Sequence, residues 1–252
     1  MLQNERIEWI LRQLQLRGTL KVGEISEYLQ VSVDTVRRDL KLMEQNGQIK
    51  CVHGGACLPD PLLSIASFTA RKVVHEDQKQ QAAAKAVRYI QRGDIIALNS
   101  GTTNTVLARE IARNCEGITV VTNNLAAAEE LMKNPLIQLI LVGGEVDHTE
   151  RSTYGAQCEK EFGSYYPDIC FLSINAVNEE NGYTDFRLNE IGVIQTLASC
   201  SGQVIAVMDS SKLGKRSKKN VLSLEQVDRL IMDEQVPEEM RTIYRDCGVV
   251  IE

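Results

Sequence analysis

The sequence predicts an α/β protein in two parts, a small three-helix unit followed by a larger alternating one. Three observations predict it. Apolar residues recur at helical spacing as far as Met43; the pattern lapses between 58 and 76; and from 77 onwards short apolar runs alternate with helical stretches. Alternation of that kind is the order of a mainly parallel sheet with helices on its faces.

The first unit, 1–57, begins with Ile7, Ile10, Leu11 and Leu14, which place an amphipathic helix over 4–16, ending at Arg17-Gly18. Val22, Ile25 and Leu29 give a shorter second helix. After a break at Gln30-Val31, Ser32 is a helix cap, because its hydroxyl can accept from an unpaired amide of the first turn. Val36, Leu40 and Met43 form the buried stripe of a third helix, stopped by Asn46-Gly47. Its other face carries Asp34, Thr35, Arg37, Arg38 and Lys41. Two helices joined by a tight turn, the second with short polar and cationic side chains in its first turns, can set Thr35 and the arginines against base edges and phosphates of a major groove. Residues 48–52 and then His53-Gly54-Gly55-Ala56 read as two short strands, or a strand and a glycine turn, forming a basic wing. An Arg-Arg pair is often only solvated surface, so periodicity alone leaves that alternative open.

Charge supports a nucleic-acid module hidden in an acidic chain. The 252 residues carry a net charge of -6, with 28 Lys and Arg against 34 Asp and Glu. Residues 1–57 hold eight basic and seven acidic side chains, leaving 20 basic and 27 acidic in the remainder. The overall acidity therefore belongs to the second part. At 43% hydrophobic content, the chain can bury a core in each part. Apolar runs such as 139–142 and 204–208 fall far short of a membrane span, and MLQNERIEWI lacks the basic end and apolar run of a signal peptide, so a cytoplasmic protein is expected. Seven cysteines at irregular spacings fit reduced thiols better than a disulfide framework. Cys51 and Cys57 flank His53 without a fourth ligand at zinc-site spacing, so neither a metal nor a cofactor is expected.

Residues 58–76 contain Pro59 and Pro61 and are expected to be a linker. In the part spanning 77–252, helices are expected over 78–90, 103–112, 126–132 and 190–200. Strands are expected over 95–99, 118–122, 138–142, 170–174 and 204–208. Ligands of open parallel sheets sit beyond the carboxyl ends of the strands. Asn99-Ser100-Gly101-Thr102-Thr103 follows one strand and opens a helix, whose outward amides and dipole suit a phosphate. Thr122-Asn123-Asn124 and Gly143-Gly144-Glu145 end two more strands, and Asp209-Ser210-Ser211-Lys212 ends a fourth. Taken singly these read as caps, turns and surface; together they favour a site.

Arg6, Ile10 and Leu14, followed by Ser32-x-x-Thr35-Val36-Arg37-Arg38-Asp39-Leu40, resemble the helix-turn-helix signature of the DeoR family of bacterial transcriptional regulators. HGGA at 53–56 resembles that family's wing end. GTT at 101–103, TNN at 122–124, GGE at 143–145 and DSSK at 209–212 look like the signature loops of its C-terminal sensor domain. The resemblance implies a winged helix-turn-helix and an α/β sensor similar in fold to ribose-5-phosphate isomerase and coenzyme A transferases. It also implies repression of a carbohydrate operon, released by a phosphorylated sugar. Three features depart from the family pattern: Cys51 replaces a common wing arginine, Asn99 a common aspartate, and the apolar pair Val193 and Ile194 stands where a lysine often follows the glutamate matching Glu190.

The expected contacts to double-stranded operator DNA are Ser32, Asp34, Thr35, Arg37, Arg38, Lys41, Lys50 and His53. The expected effector contacts are Asn99, Ser100, Gly101, Thr102, Thr103, Thr122, Asn123, Asn124, Gly143, Gly144, Asp185, Glu190, Asp209 and Lys212. Asp39 is expected to be structural, orienting Arg6 or Arg38. A homo-oligomer, dimer or tetramer, is expected because a single winged helix reads few base pairs. The alternative is a sugar-phosphate isomerase with an incidental N-terminal hairpin, using Asp185, Glu190, Asp209 or Lys212; Asn99 speaks against it, since an amide cannot serve as the base.

Overall fold

The computed structural model describes residues 2–17, 19–52, 54–58 and 68–252. The chain divides into two compact units, 1–76 and 77–252.

Unit 1 holds α1 (Gln3–Arg17), β1 (Thr19–Lys21), α2 (Val22–Leu29), α3 (Val33–Gln45), β2 (Lys50–Val52), β3 (Gly55–Cys57) and α4 (Phe68–Val73). Ile10, Leu11 and Leu14 of α1, Ile25 and Leu29 of α2, and Val36, Leu40 and Met43 of α3 form its core. Gln30 adopts a left-handed backbone at φ 52°, which turns the chain between α2 and α3. Ser32 then caps α3, its hydroxyl accepting from the Thr35 amide at 3.2 Å. Helix α3 stops at Asn46, and Gly47 follows at φ +67°, a backbone that glycine adopts without strain. The wing is a three-stranded antiparallel sheet in the order β1-β3-β2. Strand β1 lies outside the sequence-derived elements, and α4 occupies part of the segment expected to be a bare linker, with Phe68 buried.

Unit 2 contains α5 (Glu76–Ala86), β4 (Ile95–Leu98), α6 (Thr102–Asn114), β5 (Thr119–Thr122), α7 (Leu125–Leu131), β6 (Gln138–Leu141), β7 (Glu145–Asp147), β8 (Ser152–Tyr154) and α8 (Ala156–Phe162). It continues with β9 (Ile169–Leu172), β10 (Ala176–Asn178), β11 (Gly182–Asp185), α9 (Ile191–Cys200), β12 (Gln203–Val207), β13 (Lys219–Leu222), β14 (Arg229–Ile231) and α10 (Glu238–Asp246). Six strands form a parallel sheet in the order β14-β12-β9-β4-β5-β6. Side chains alternate across it as a pleat requires. Ile96, Leu98, Val120, Phe171, Ile205 and Val207 join one core cluster with Ala82, Leu107 and Ile111. Ala97, Val121, Cys170, Leu172, Val204 and Ala206 join the opposite cluster with Phe162, Val193 and Leu197. A small antiparallel sheet, β10-β11-β13, and the hairpin β7-β8 complete the unit. No helix among the described residues is long and apolar enough to cross a membrane.

Strand order fixes where a ligand can enter. From β4 the chain runs to β5 and β6 on one side, while β9, β12 and β14 lie on the other. The carboxyl ends of β4 and β9 therefore flank the topological switch point, where connections diverge and leave a crevice.

Candidate functional site

Helix α3 presents an exposed cationic face. Ser32, Asp34, Arg37, Arg38 and Lys41 are exposed and Thr35 is half-buried, while Val36, Asp39, Leu40 and Met43 point inward. Arg37 leans on Asp34 at 3.6 Å, a solvated pair worth little to stability. Neither Arg38 nor Lys41 forms an ion pair with a described residue. Ser32 and Thr35 hydroxyls lie 2.9 Å apart, so both serve the start of the helix as well as its outer face.

Asp39 behaves differently from its neighbours. It is buried, and Arg6 Nε donates to it at 2.7 Å while Gln3 Nε2 donates at 2.9 Å. The bond to Asp39 raises the Arg6 guanidinium above its ordinary value. This carboxylate ties α1 to α3 and holds the recognition face in place.

On the wing, Lys50 is exposed at the start of β2, and His53 lies outside the described residues. Cys51 turns toward α3, its thiol 3.9 Å from the Leu40 carbonyl, and its amide donates to Glu44 Oε1 at 2.7 Å. Cys51 is thus half-buried and packs against the core of unit 1.

The second constellation lies at the switch point. Asn99 is fully buried; its Oδ1 accepts from the Ser173 amide at 2.8 Å and from Asn104 Nδ2 at 2.8 Å, and its Nδ2 donates to the Ser173 carbonyl at 3.1 Å. The amide stitches the end of β4 to the end of β9. Gly101 follows at φ +125°, capping α6 without a side-chain bond. A Cβ built there would lie 2.5 Å from Ser173 Oγ, so only glycine fits. Thr102 and Thr103 open the helix, and their hydroxyls bond no described residue. Thr122 Oγ1 donates to the Leu98 carbonyl at 2.8 Å, and Asn124 caps α7 by accepting from the Ala127 amide at 3.0 Å.

Glu190 is the hub. Its Oε2 accepts from the Ser100 amide at 3.3 Å, and its Oε1 accepts from Asn123 Nδ2 at 2.9 Å and Ser152 Oγ at 3.2 Å. Burial pushes its carboxyl up from the ordinary value, against the pull of Arg187 and these donors. Asn123 Oδ1 is buried beside it without a hydrogen bond.

Arg187 is the residue that the sequence reading missed. Its Nε donates to Asp185 Oδ1 at 3.0 Å and its NH2 to Asp185 Oδ2 at 2.7 Å, a bidentate buried pair. NH1 reaches the Ser100 carbonyl and hydroxyl, both at 3.0 Å, and NH2 also donates to the Ser173 carbonyl at 2.7 Å. Burial works against the cation, but Asp185 outweighs it and holds the guanidinium above its ordinary value. Arg187 thereby spans β4 and β9 across the crevice, with Asp185 behind it at the end of β11. Ser152, Ser173 and Asn104 were missed too; lone serines and a helical asparagine carry no signal of their own. The spacing Asp185-x-Arg187 was the available clue.

Two expected contributors stand apart from this network. Gly143 and Gly144 pack on β8 and α8: a Cβ at Gly144 would meet the Tyr154 carbonyl at 2.5 Å, and the Gly143 amide donates to Glu161 at 3.3 Å. Asp209 and Lys212 end β12, with β9 between them and β4. Asp209 is buried and caps its own turn through the Ser211 amide and hydroxyl; Lys212 is half-exposed. No cluster of His, Cys, Asp or Glu among the described residues is placed to hold a metal ion.

Both halves of the chain match known families. Residues 6–61 match the DeoR-like helix-turn-helix domain, and residues 74–234 match the DeoR C-terminal sensor domain. The HTH-type transcriptional regulator GolR of Listeria innocua is 30% identical over 98% of this chain and 97% of its own length. The HTH-type transcriptional repressor GlcR of Bacillus subtilis is 33% identical over 92% of this chain and 89% of its own, and the glycerol-3-phosphate regulon repressor of Escherichia coli is 27% identical over 100% and 99%. With its recognition helix, its wing and its α/β sensor in that order along one chain, this protein belongs to the DeoR family of helix-turn-helix transcriptional regulators.

Proposed function

We propose that this regulator represses a carbohydrate catabolic operon and is released from its operator by a phosphorylated sugar bound in the switch-point crevice. The observation that carries the DNA half is the α3 face, where Arg37, Arg38 and Lys41 are exposed and Thr35 stands beside them. Arginine forks suit guanine edges and phosphates, and Thr35 suits either a base edge or a thymine methyl. Lys50, Ser32 and Asp34 flank that contact, and His53 belongs with it by sequence. Names of relatives support repression, one of them acting on a glycerol-3-phosphate regulon.

For the sensor half, the crevice offers uncapped amides at the start of α6, the free hydroxyls of Thr102 and Thr103, and the acceptor Asn123 Oδ1. These suit a ligand with both an anionic group and hydroxyls. The geometry disfavours an isomerase. Asn99, an amide that cannot serve as a base, is bound on both of its polar atoms, and the oxygens of Glu190 and Asp185 already accept from protein donors. A symmetric dimer or larger assembly completes the proposal, since two half-sites are needed for specific affinity.

Mobility-shift titration on DNA flanking the gene, with and without a panel of sugar phosphates, tests the reading. The expected result is specific binding that weakens when a sugar phosphate is added. Arg37→Ala or Arg38→Ala costs about 1–3 kcal/mol at a base contact, or weakens all sequences alike at a phosphate contact. Unchanged operator affinity in a folded double variant overturns the DNA assignment, and steady turnover of aldose phosphates would install the enzyme instead. Light scattering that finds a strict monomer with full operator affinity overturns the assembly.

A further inference from the structure

The parallel sheet of unit 2 closes one of its edges and leaves the other bare. Beyond β14, residues 250–252 run alongside: the Leu230 amide donates to the Val250 carbonyl at 3.1 Å, the Glu252 amide to the Leu230 carbonyl at 3.0 Å, and the Met232 amide to the Glu252 carbonyl at 2.8 Å. Beyond β6, no strand among the described residues pairs. The Gln138 and Val142 amides donate to the Ile118 and Thr122 carbonyls on β5, and successive residues of a strand turn their backbone groups to opposite sides. Leu139 and Leu141 therefore aim both N–H and C=O at the open side, where they bond no described residue.

Soluble proteins blunt such an edge with charge, proline, a bulge or a covering element. None of these protects β6. Residues 136–142 read Leu-Ile-Gln-Leu-Ile-Leu-Val, without a charge or a proline, and Leu136 and Leu141 are 60% and 46% exposed. The bare edge is also complementary to itself. When two copies of β6 lie antiparallel about a two-fold axis at Ile140, Leu139 of one stands opposite Leu141 of the other, and each such pair exchanges both of its N–H···O bonds. Leu139 packs on one face of the sheet and Ile140 on the other, so the leucines of the two copies cover one another while Ile140 meets its own counterpart. A head-to-tail pairing would need a second free edge, and residues 250–252 already occupy it.

We propose that β6 is the seam at which a second copy of this chain docks, antiparallel and centred on Ile140, so that the two sheets become one. This rests on the self-association reading above and names its surface. A second copy is favoured over a foreign strand because the Leu-Ile-Leu pattern at 139–141 reads the same in both directions, and one sequence supplies both sides of the seam. The pairing is isologous and closes on itself, which spends the bare edge instead of propagating it into a fibre.

The Leu141 amide serves no bond to β5, so proline there removes only an outward donor and is compatible with an edge strand. Light scattering of the full chain at micromolar concentration should give Leu141→Pro half the wild-type mass, with an unchanged far-ultraviolet circular dichroism spectrum. Leu141→Lys should do the same, since it places like charges across the seam, and it carries the test alone where the proline variant fails to fold. Ile140→Cys should cross-link to its own copy on mild oxidation, because paired residues on the axis have Cα atoms about 4.5 Å apart, within the span of a disulfide. Lys160→Cys on α8 should stay at the wild-type background. Folded Leu141 variants that keep the wild-type oligomer mass overturn the seam and leave self-association to another surface. Cross-linking of Lys160→Cys as readily as Ile140→Cys overturns the seam as well. A wild-type chain that is monomeric at that concentration overturns this inference together with the assembly it rests on.

Discussion

A single methyl group at Gly101 should be the most damaging small change in the crevice. The residue sits at φ +125° and ψ 157°, a region that is essentially open to glycine alone, and forcing an L-residue there costs about 1–3 kcal/mol. The added Cβ would also lie 2.5 Å from Ser173 Oγ, 2.9 Å from Ser173 Cβ and 3.1 Å from Arg187 NH1. Overpacking of that order costs roughly 1–3 kcal/mol more. Gly101→Ala should therefore lose about 2–6 kcal/mol from unit 2, within reach of the whole stability of a marginal domain. The assay can separate the units, because Trp9 is the chain's single tryptophan and stacks on Tyr28 in unit 1 at 4.4 Å. In urea, Trp9 fluorescence should hold its wild-type midpoint while the circular dichroism of unit 2 melts early. Ser173→Gly removes the two closest contacts and leaves the one to Arg187, so the double variant should recover most of the packing part, a coupling above roughly 1 kcal/mol. A Gly101→Ala protein that unfolds at the wild-type midpoint would refute both the strain and the contact.

Asp39→Asn should lower the stability of unit 1 by about 1–3 kcal/mol, since the Arg6 bond loses its charge, and Trp9 fluorescence in urea reads it directly; a stable variant with altered base preference contradicts the structural role. Glu190 has its carboxyl raised by burial from 4.5, so the folded chain holds that proton more tightly than the unfolded one. Its contribution is fully present below 4.5 and is lost as pH rises through the raised value; Glu190→Gln should flatten that slope in a urea-midpoint series against pH, and an unchanged slope would reject it. Asp185→Leu or Arg187→Met alone should cost about 3–5 kcal/mol by stranding a buried charge, and the double variant should regain most of it; additive losses in denaturation would show that the two do not act as a pair.

Much of unit 1 was legible because its signals are local. Ser32 as a cap, Gly47 as a stop and the apolar stripe of α3 each involve residues within one or two turns, and the structure places them where the spacing requires. Five of the six parallel strands were legible for a related reason: short, largely apolar runs bounded by polar loops leave few alternatives. Strands β1, β7, β8, β10 and β14 span three residues each, too few for a period of two to declare itself. Half of β13 is polar, and its pairing with β11 comes from tertiary packing. Helix α4 escaped because the proline-rich composition around it suggests only a connection.

The site divides along the same line. Loops at strand ends are predictable from topology, and Ser100, Gly101, Asn123, Asn124 and Glu190 do converge, because the switch point between β4 and β9 draws the first loops together. Arg187 obeys no such rule. Its partners lie at 185, 173 and 100, so its role depends on three loops meeting, and locally it is one more arginine beside an aspartate. The same distance in sequence hides the pairing of β13 with β11: Lys219 stands 34 residues after Asp185, and only the strand register sets them opposite each other. Charge in this sensor is thus sorted by depth, with carboxylates and a fully bonded guanidinium inside and unpaired ammonium groups at the surface.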